Sequence, residues 1–194
     1  VTIYEKGAEV VRMIRELIGA AAFRAGSDRY FERHDGQAVT TEEFVCAMEA
    51  ASGRDLGQFR RWYTQAGTPT LTVSDEYDAA RGLYRLHVCQ SCPPTPGQPH
   101  KAPFHIPLRC GLVGGSGDLT LGDGLTERVL ELTGESHTFE FNDIPQRPIP
   151  SLLRGFSAPV KLEYPYSPDD LAQLMQCDSD GFARWDAGQT LAVQ

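Results

Sequence analysis

Phe59-Arg60-Arg61-Trp62-Tyr63-Thr64-Gln65-Ala66-Gly67-Thr68-Pro69-Thr70-Leu71-Thr72-Val73 changes its repeat halfway along. Up to Gly67 the apolar residues Leu56, Phe59, Trp62, Tyr63 and Ala66 fall at helical spacing. Beyond Pro69 they alternate, with Leu71 and Val73 set against Thr70 and Thr72. Glycine frees the backbone and proline removes a donor, so together they stop a helix. A period of two then starts a strand with one buried face. Helices are expected before this point and strands after it.

Working back toward Val1, three more helices are expected. Val10, Ile14, Leu17 and Ile18 lie on one face at i, i+4, i+7 and i+8, and Gly19 is a stop. A second helix runs from about Ala21 to Arg33 with Phe23, Tyr30 and Phe31 as apolar anchors, and His34-Asp35-Gly36 reads as a turn. Thr40, with Glu43 three residues on, forms a capping box for a helix that buries Phe44, Val45 and Met48.

Working forward, the alternation recurs. Tyr84, Leu86 and Val88 are interleaved with Arg85 and His87; Phe104, Ile106 and Leu108 with His105 and Arg109. Phe139 and Phe141 flank Glu140, and Val160, Leu162 and Tyr164 are interleaved with Lys161 and Glu163. Turn-rich stretches at 92–103 and 114–124 separate them. Short strands so spaced point to a β-sandwich with a core of its own. At Ser167 the helical pattern returns: Ser167 can cap, Pro168 suits the first turn, and Asp169 and Asp170 favour the positive helix end. Leu171, Leu174 and Met175 form one stripe; Phe182, Trp185 and Leu191 belong to a following helix. Two helices cannot bury these faces alone, so they open a larger helical domain. The fold class is therefore multi-domain α+β: helices over residues 1–67, an all-β sandwich over 68–166, and the first helices of an α-helical domain over 167–194.

Composition narrows the function. The 194 residues carry a formal net charge of −8 with scattered Lys and Arg, which argues against nucleic acid as a partner. No apolar run is long enough to span a bilayer, so no membrane partner is expected. No secretory signal opens the chain. Val1 is not a natural start and Gln194 follows an unfinished helical pattern, so the sequence reads as a piece of a longer polypeptide. The five cysteines are odd in number, and Cys46 and Cys177 lie in helical patterns, which points to reduced thiols in a cytoplasmic protein.

Candidate chemistry is sparse. Tyr4 stands at the start of the first helix, where a fixed backbone could aim its hydroxyl at an oxyanion; by residue type alone, packing is the simpler reading. Glu5 reads as a helix N-terminal charge, Lys6 as a solvated one, and Gly7 and Ala8 as a close helix contact. Cys89-x-x-Cys92 followed by His105 and Cys110 imitates zinc-knuckle spacing. However, residues 105 and 110 have opposite strand parity and Pro93-Pro94 disturbs the metal turn, so no metal site is expected there. The five histidines make no H-x-x-x-H pair and read as surface residues. Gly114-Gly115-Ser116-Gly117 joins two strands and reads as a hairpin, not a phosphate cradle. Arg60-Arg61 reads as a solvated helix side. The residues alone give no self-sufficient active site.

Thr2-Ile3-Tyr4-Glu5-Lys6-Gly7-Ala8-Glu9-Val10-Val11-Arg12-Met13 closely resembles the segment of zinc aminopeptidases that carries the catalytic tyrosine. Tyr30 to Gly36, Phe59 to Tyr63, Ala66 to Pro69 and Phe156 to Tyr164 resemble bacterial members of the aminopeptidase N family, in the same order, and 110–134 is the most divergent stretch. The resemblance implies that 1–67 is the helical end of a thermolysin-like catalytic domain. It implies that the enzyme uses a zinc ion (Zn2+) held by H-E-x-x-H and a downstream Glu, with upstream acidic residues gripping the substrate's free amine. Of these parts only the oxyanion-stabilising tyrosine maps onto this sequence, at Tyr4. The missing N-terminal and C-terminal parts of the same polypeptide are then its partners, and peptides its substrates. The chain alone is expected to hold no zinc and cleave no aminoacyl substrate. A leukotriene-hydrolase-like branch shares Tyr-Glu-Lys-Gly but is expected to lack the sandwich. The alternative of another class is a non-catalytic β-sandwich module for protein interaction, marked by an exposed aromatic patch.

Overall fold

The computed structural model describes residues 2–193. The chain opens with a π-helical turn, Thr2–Lys6, that runs directly into α1 (Gly7–Ile18). Val10, Met13, Ile14 and Leu17 of α1 are buried, each worth roughly 2 kcal/mol of apolar burial. Gly19, at φ 82°, stops α1 as its spacing predicts, and α2 (Ala20–His34) starts at once. α2 approaches α3 (Thr41–Ser52) through Gly26, where a β-carbon would sit 2.6 Å from Met48 Sδ. Of the expected anchors on α2, Phe23 and Tyr30 meet Phe44 edge-on, whereas Phe31 is 62% exposed. The capping box forms: Glu42 N–H donates to Thr40 Oγ1, and Thr40 N–H donates to the Glu43 carboxylate at 2.8 Å.

The expected fourth helix is mostly turn. Only Arg61–Thr64 (α4) is helical. Leu56, Phe59 and Trp62 are nonetheless buried, at a spacing of three that suits tighter turns.

The β-segment is a sandwich of two sheets. β1 (Thr70–Asp78), β2 (Leu83–Ser91), β6 (Ser136–Phe141) and β8 (Lys161–Glu163) form one, ordered β6-β2-β1-β8 with β8 parallel to β1. The other centres on β3 (Ile106–Gly114), which pairs with β4 (Gly117–Asp118), β5 (Glu127–Leu132) and β7 (Ile149–Leu152). Gly114 and Gly117 face each other across the β3–β4 hairpin, as the glycine run predicts. In β2 the alternation holds: Leu86 and Val88 are buried, while Arg85 and His87 are half-exposed. In β3 it does not hold. Every residue but Arg109 is buried, because strands flank it on both edges and helices cover its outer face. β5, which buries Leu130 and Leu132 around a half-exposed Glu131, and β7, buried throughout, are additions to the strands read from sequence.

Apolar residues of both sheets, α1, α3 and the Leu56–Trp62 turn form one contiguous core. The expected separate core of the sandwich is therefore shared with the preceding helices. α5 (Pro168–Cys177) and α6 (Gly181–Val193) follow, α5 capped by Ser167 with Asp170. Leu171 and Leu174 pack with Val113 and Ile149 in a second, small cluster. Met175 and Trp185, expected in the stripes, are 45% and 58% exposed; Ala183 and Ala187 are the buried residues of α6.

Candidate functional site

The π-helical turn is the local feature that sets Tyr4 apart. Such turns are uncommon and gather at functional sites. Tyr4 lies in its middle and its side chain is 85% exposed. Two residues on, Lys6 Nζ donates to the Gly67 carbonyl at 3.0 Å and lies 5.9 Å from the centroid of the Trp62 ring. Lys6 is thus half-buried and partnered, not the solvated charge its sequence neighbours indicate. An open cleft of about 530 Å³ beside it is lined by Lys6, Val10, Trp62 and Gly67. A second, of about 450 Å³, lies on the other side of Gly7, against Val11, Tyr30, Phe44 and Tyr63. A β-carbon on Gly7 would meet open space, so the close helix contact expected of it is not made among the described residues.

α1 is anchored downstream as well. Arg12 donates to the carbonyls of Gly155 and Phe156 and lies over the Phe156 ring. That loop holds Leu153, Gly155 and Phe156 at φ 56°, 59° and 55°, a left-handed conformation that costs energy outside glycine. Arg109 of β3 pairs with Glu16 of α1.

The cysteine–histidine set does not converge. Cys89 is exposed, Cys92 half-buried, and Cys110 fully buried, where burial pushes its thiol up to about 12. His105 is 6% exposed, against the surface position expected of it, and its Nε2 lies 2.9 Å from Glu131 Oε2. Burial pushes the Glu131 carboxyl up, but hydrogen bonds from Arg54 and His105 outweigh it and hold the group below the usual carboxylate range. Among the described residues no group of three or more His, Cys, Asp or Glu could hold a metal ion. The cysteine–histidine set, split between exposed and fully buried positions, therefore does not fit a zinc site. Arg60 and Arg61 are not solvated either: Arg60 bridges Glu42 and Glu49 at 2.7 Å, and Arg61 donates to the Pro103 carbonyl.

Sequence reasoning missed Lys6 because its partners lie 56 and 61 residues away, beyond any periodic signal. It missed Arg154, fully buried among Asp118, Asp178 and Ser151, because arginine is seldom a core residue. A glycine within a strand, Gly111, was the sequence signal for a close approach there: a β-carbon on it would run into the Arg154 guanidinium.

Three family models match in tandem. "Peptidase family M1 domain" covers residues 1–63, "Domain of unknown function (DUF3458) Ig-like fold" covers 67–165, and "Domain of unknown function (DUF3458_C) ARM repeats" covers 168–194. Aminopeptidase N of Haemophilus influenzae is 48% identical over 100% of this chain and 23% of its own length. Aminopeptidase N of Caulobacter vibrioides is 51% identical over 98% of this chain and 22% of its own length. The crystal structure of Legionella pneumophila aminopeptidase A in complex with aspartic acid superposes with a TM-score of 0.84 at 37% identity, over 97% of this chain and 21% of that one. The chain thus spans less than a quarter of the length of these relatives.

Proposed function

Because the chain belongs to the aminopeptidase N family of M1 peptidases, we propose that it is the part of a zinc-dependent aminopeptidase that carries the oxyanion-stabilising tyrosine, Tyr4. The complete enzyme removes N-terminal residues from peptides. In this reading 1–67 ends the catalytic domain, 68–166 is the sandwich domain and 167–194 opens the helical domain. The observation that carries it is the placement of Tyr4: a solvent-facing phenol on a short π-helical turn, tied down by Lys6 and continuous with the buried stripe of α1.

Attack on a scissile carbonyl moves charge onto its oxygen. A phenol held on fixed backbone donates a hydrogen bond to that oxyanion without reorganising at the moment of reaction. Such a donor is worth about 3–4 kcal/mol, roughly a thousandfold in rate. The zinc ion, the base and the carboxylates that grip the substrate amine would come from the rest of the polypeptide, and this chain alone is inactive. The five free thiols accord with a reducing, cytoplasmic setting. No helix among the described residues is long and apolar enough to cross a membrane. The interaction-module alternative lacks its marker: of the exposed large apolar residues, the sandwich contributes Leu125 and no aromatic.

Tyr4→Phe in the complete enzyme tests the reading. The expected result is a kcat about a thousandfold lower with KM nearly unchanged, since the hydroxyl acts in the transition state. Turnover near the wild-type value removes Tyr4 from the mechanism. For the chain by itself, metal analysis is expected to give no stoichiometric zinc; one tightly held ion per chain overturns that part.

A further inference from the structure

We propose that Lys6 is a positioning residue for Tyr4, and that through it the β-sandwich sets the aim of the phenol. The proposal rests on the reading of Tyr4 as the oxyanion donor. The Tyr4 ring is largely exposed, so among the described residues its place is set by the backbone of its turn and not by side-chain packing. A π-helical turn is rare and occurs mostly as a single turn joined to an α-helix, as this one is. Lys6 closes that same turn and anchors it at two points.

The first point is the Gly67 carbonyl, which accepts from Lys6 Nζ at 3.0 Å. Gly67 lies close against the sandwich: its φ is +106°, a β-carbon there would stand 2.7 Å from Cys92 Sγ just past β2, and the adjacent Ala66 donates its N–H to Gln98 Oε1 at 2.8 Å and accepts from Lys101 Nζ at 2.9 Å. The second point is the Trp62 ring, 5.9 Å from the ammonium. That indole donates to the His105 carbonyl at 2.8 Å and packs against Phe104 with ring centroids 4.6 Å apart at a 39° tilt, both residues just ahead of β3. Both anchors of Lys6 are therefore held by the sandwich. A charge-assisted hydrogen bond and a cation–π contact together fix the end of the turn that carries Tyr4. Catalytic groups lose rate steeply when displaced by an ångström, so the anchor acts on turnover without touching substrate.

A double-mutant cycle in the complete enzyme tests this. Lys6→Met is expected to lower kcat by roughly 10- to 100-fold with KM within about twofold. Lys6→Arg is expected to recover most of the loss, because a guanidinium can donate to the same carbonyl and lie over the same ring. In the Tyr4→Phe background, Lys6→Met is expected to cost little more, since the group it aims is gone. An equal loss in both backgrounds, or none in either, overturns the positioning role while leaving Tyr4 in place. Near-normal turnover of Tyr4→Phe alone overturns the Tyr4 reading instead, and this proposal with it. If Lys6→Met does not fold, Lys6→Arg against Lys6→Gln carries the test: kcat retained with the cation and lost with the amide supports the anchor, and equal kcat overturns it.

Discussion

At the seam between the opening helices and the sandwich, contacts are many and half-wet; at the seam between the sandwich and α5–α6, they are few and buried. The first spreads over Lys6 on Gly67, Trp62 on His105, Gln58 on Pro103 and Thr133, and Arg54 on Glu131, beneath a shared apolar core. The second sets a small apolar cluster, Leu171 and Leu174 against Val113 and Ile149, beside buried ion pairs that all run to one side chain. Arg154, 1% exposed, meets Asp118 at 2.7 Å and Asp178 at 2.9 Å, while Ser179 donates to Asp118 and Gly155 N–H donates to Asp180. Distributed contacts tolerate the loss of any one. A seam whose buried ion pairs share a single cation does not, because its removal strands the anions around it. Asp178 shows the strain: burial pushes its carboxyl above the usual range even with the guanidinium beside it.

The sharpest way to break the contrast is Arg154→Met. Methionine fills similar length but leaves Asp118 and Asp178 without their cation. The expected cost is about 3–5 kcal/mol, read as a lower urea midpoint. The damage should concentrate in α5, α6 and β7, which would lose amide-exchange protection before β1 and β2 do. A variant within 1 kcal/mol of wild type would show that the ion cluster is no keystone and that the small Leu171–Leu174 cluster holds the seam instead.

The same contrast explains what the sequence could reveal. β2 was legible because one face is wet, so Arg85 and His87 mark the alternation against Leu86 and Val88. β3 was legible only in part: a strand covered on both faces has no polar phase, and His105, just ahead of it, was read as a surface histidine although it is buried. β7 carries Pro150, which hides it from strand propensity; it pairs on one edge only, where a missing donor costs little. Caps were legible because they are local: Thr40 with Glu43 and Ser167 with Asp170 each close within three residues. Arg154 with Asp118, and Lys6 with Gly67, join residues far apart in the chain, and no local pattern encodes a partner. Tyr4 was singled out by resemblance, not by residue chemistry, because a lone tyrosine at a helix start carries no local pattern that sets it apart from a packing residue.

Glu131→Gln sharpens the comparison at the wide seam, where effects should be small and pH-dependent. Arg54 meets Glu131 at 2.6 Å and also donates to the Leu17 carbonyl at the end of α1, so the pair links α1 to β5. The Glu131 carboxyl is held below its ordinary range in the folded chain, so folding favours its charged form. Its contribution is therefore present above the unfolded-state value, about 4.3, and is lost as pH falls through the lower folded-state value. With about a third of the carboxylate still in water, the expected cost of Glu131→Gln is about 1 kcal/mol at pH 7. The wild-type and variant urea midpoints should converge between about pH 5 and pH 3. A gap that persists unchanged at pH 3 would mean the glutamine disturbs packing around His105, and that this seam, like the other, depends on one fixed side chain.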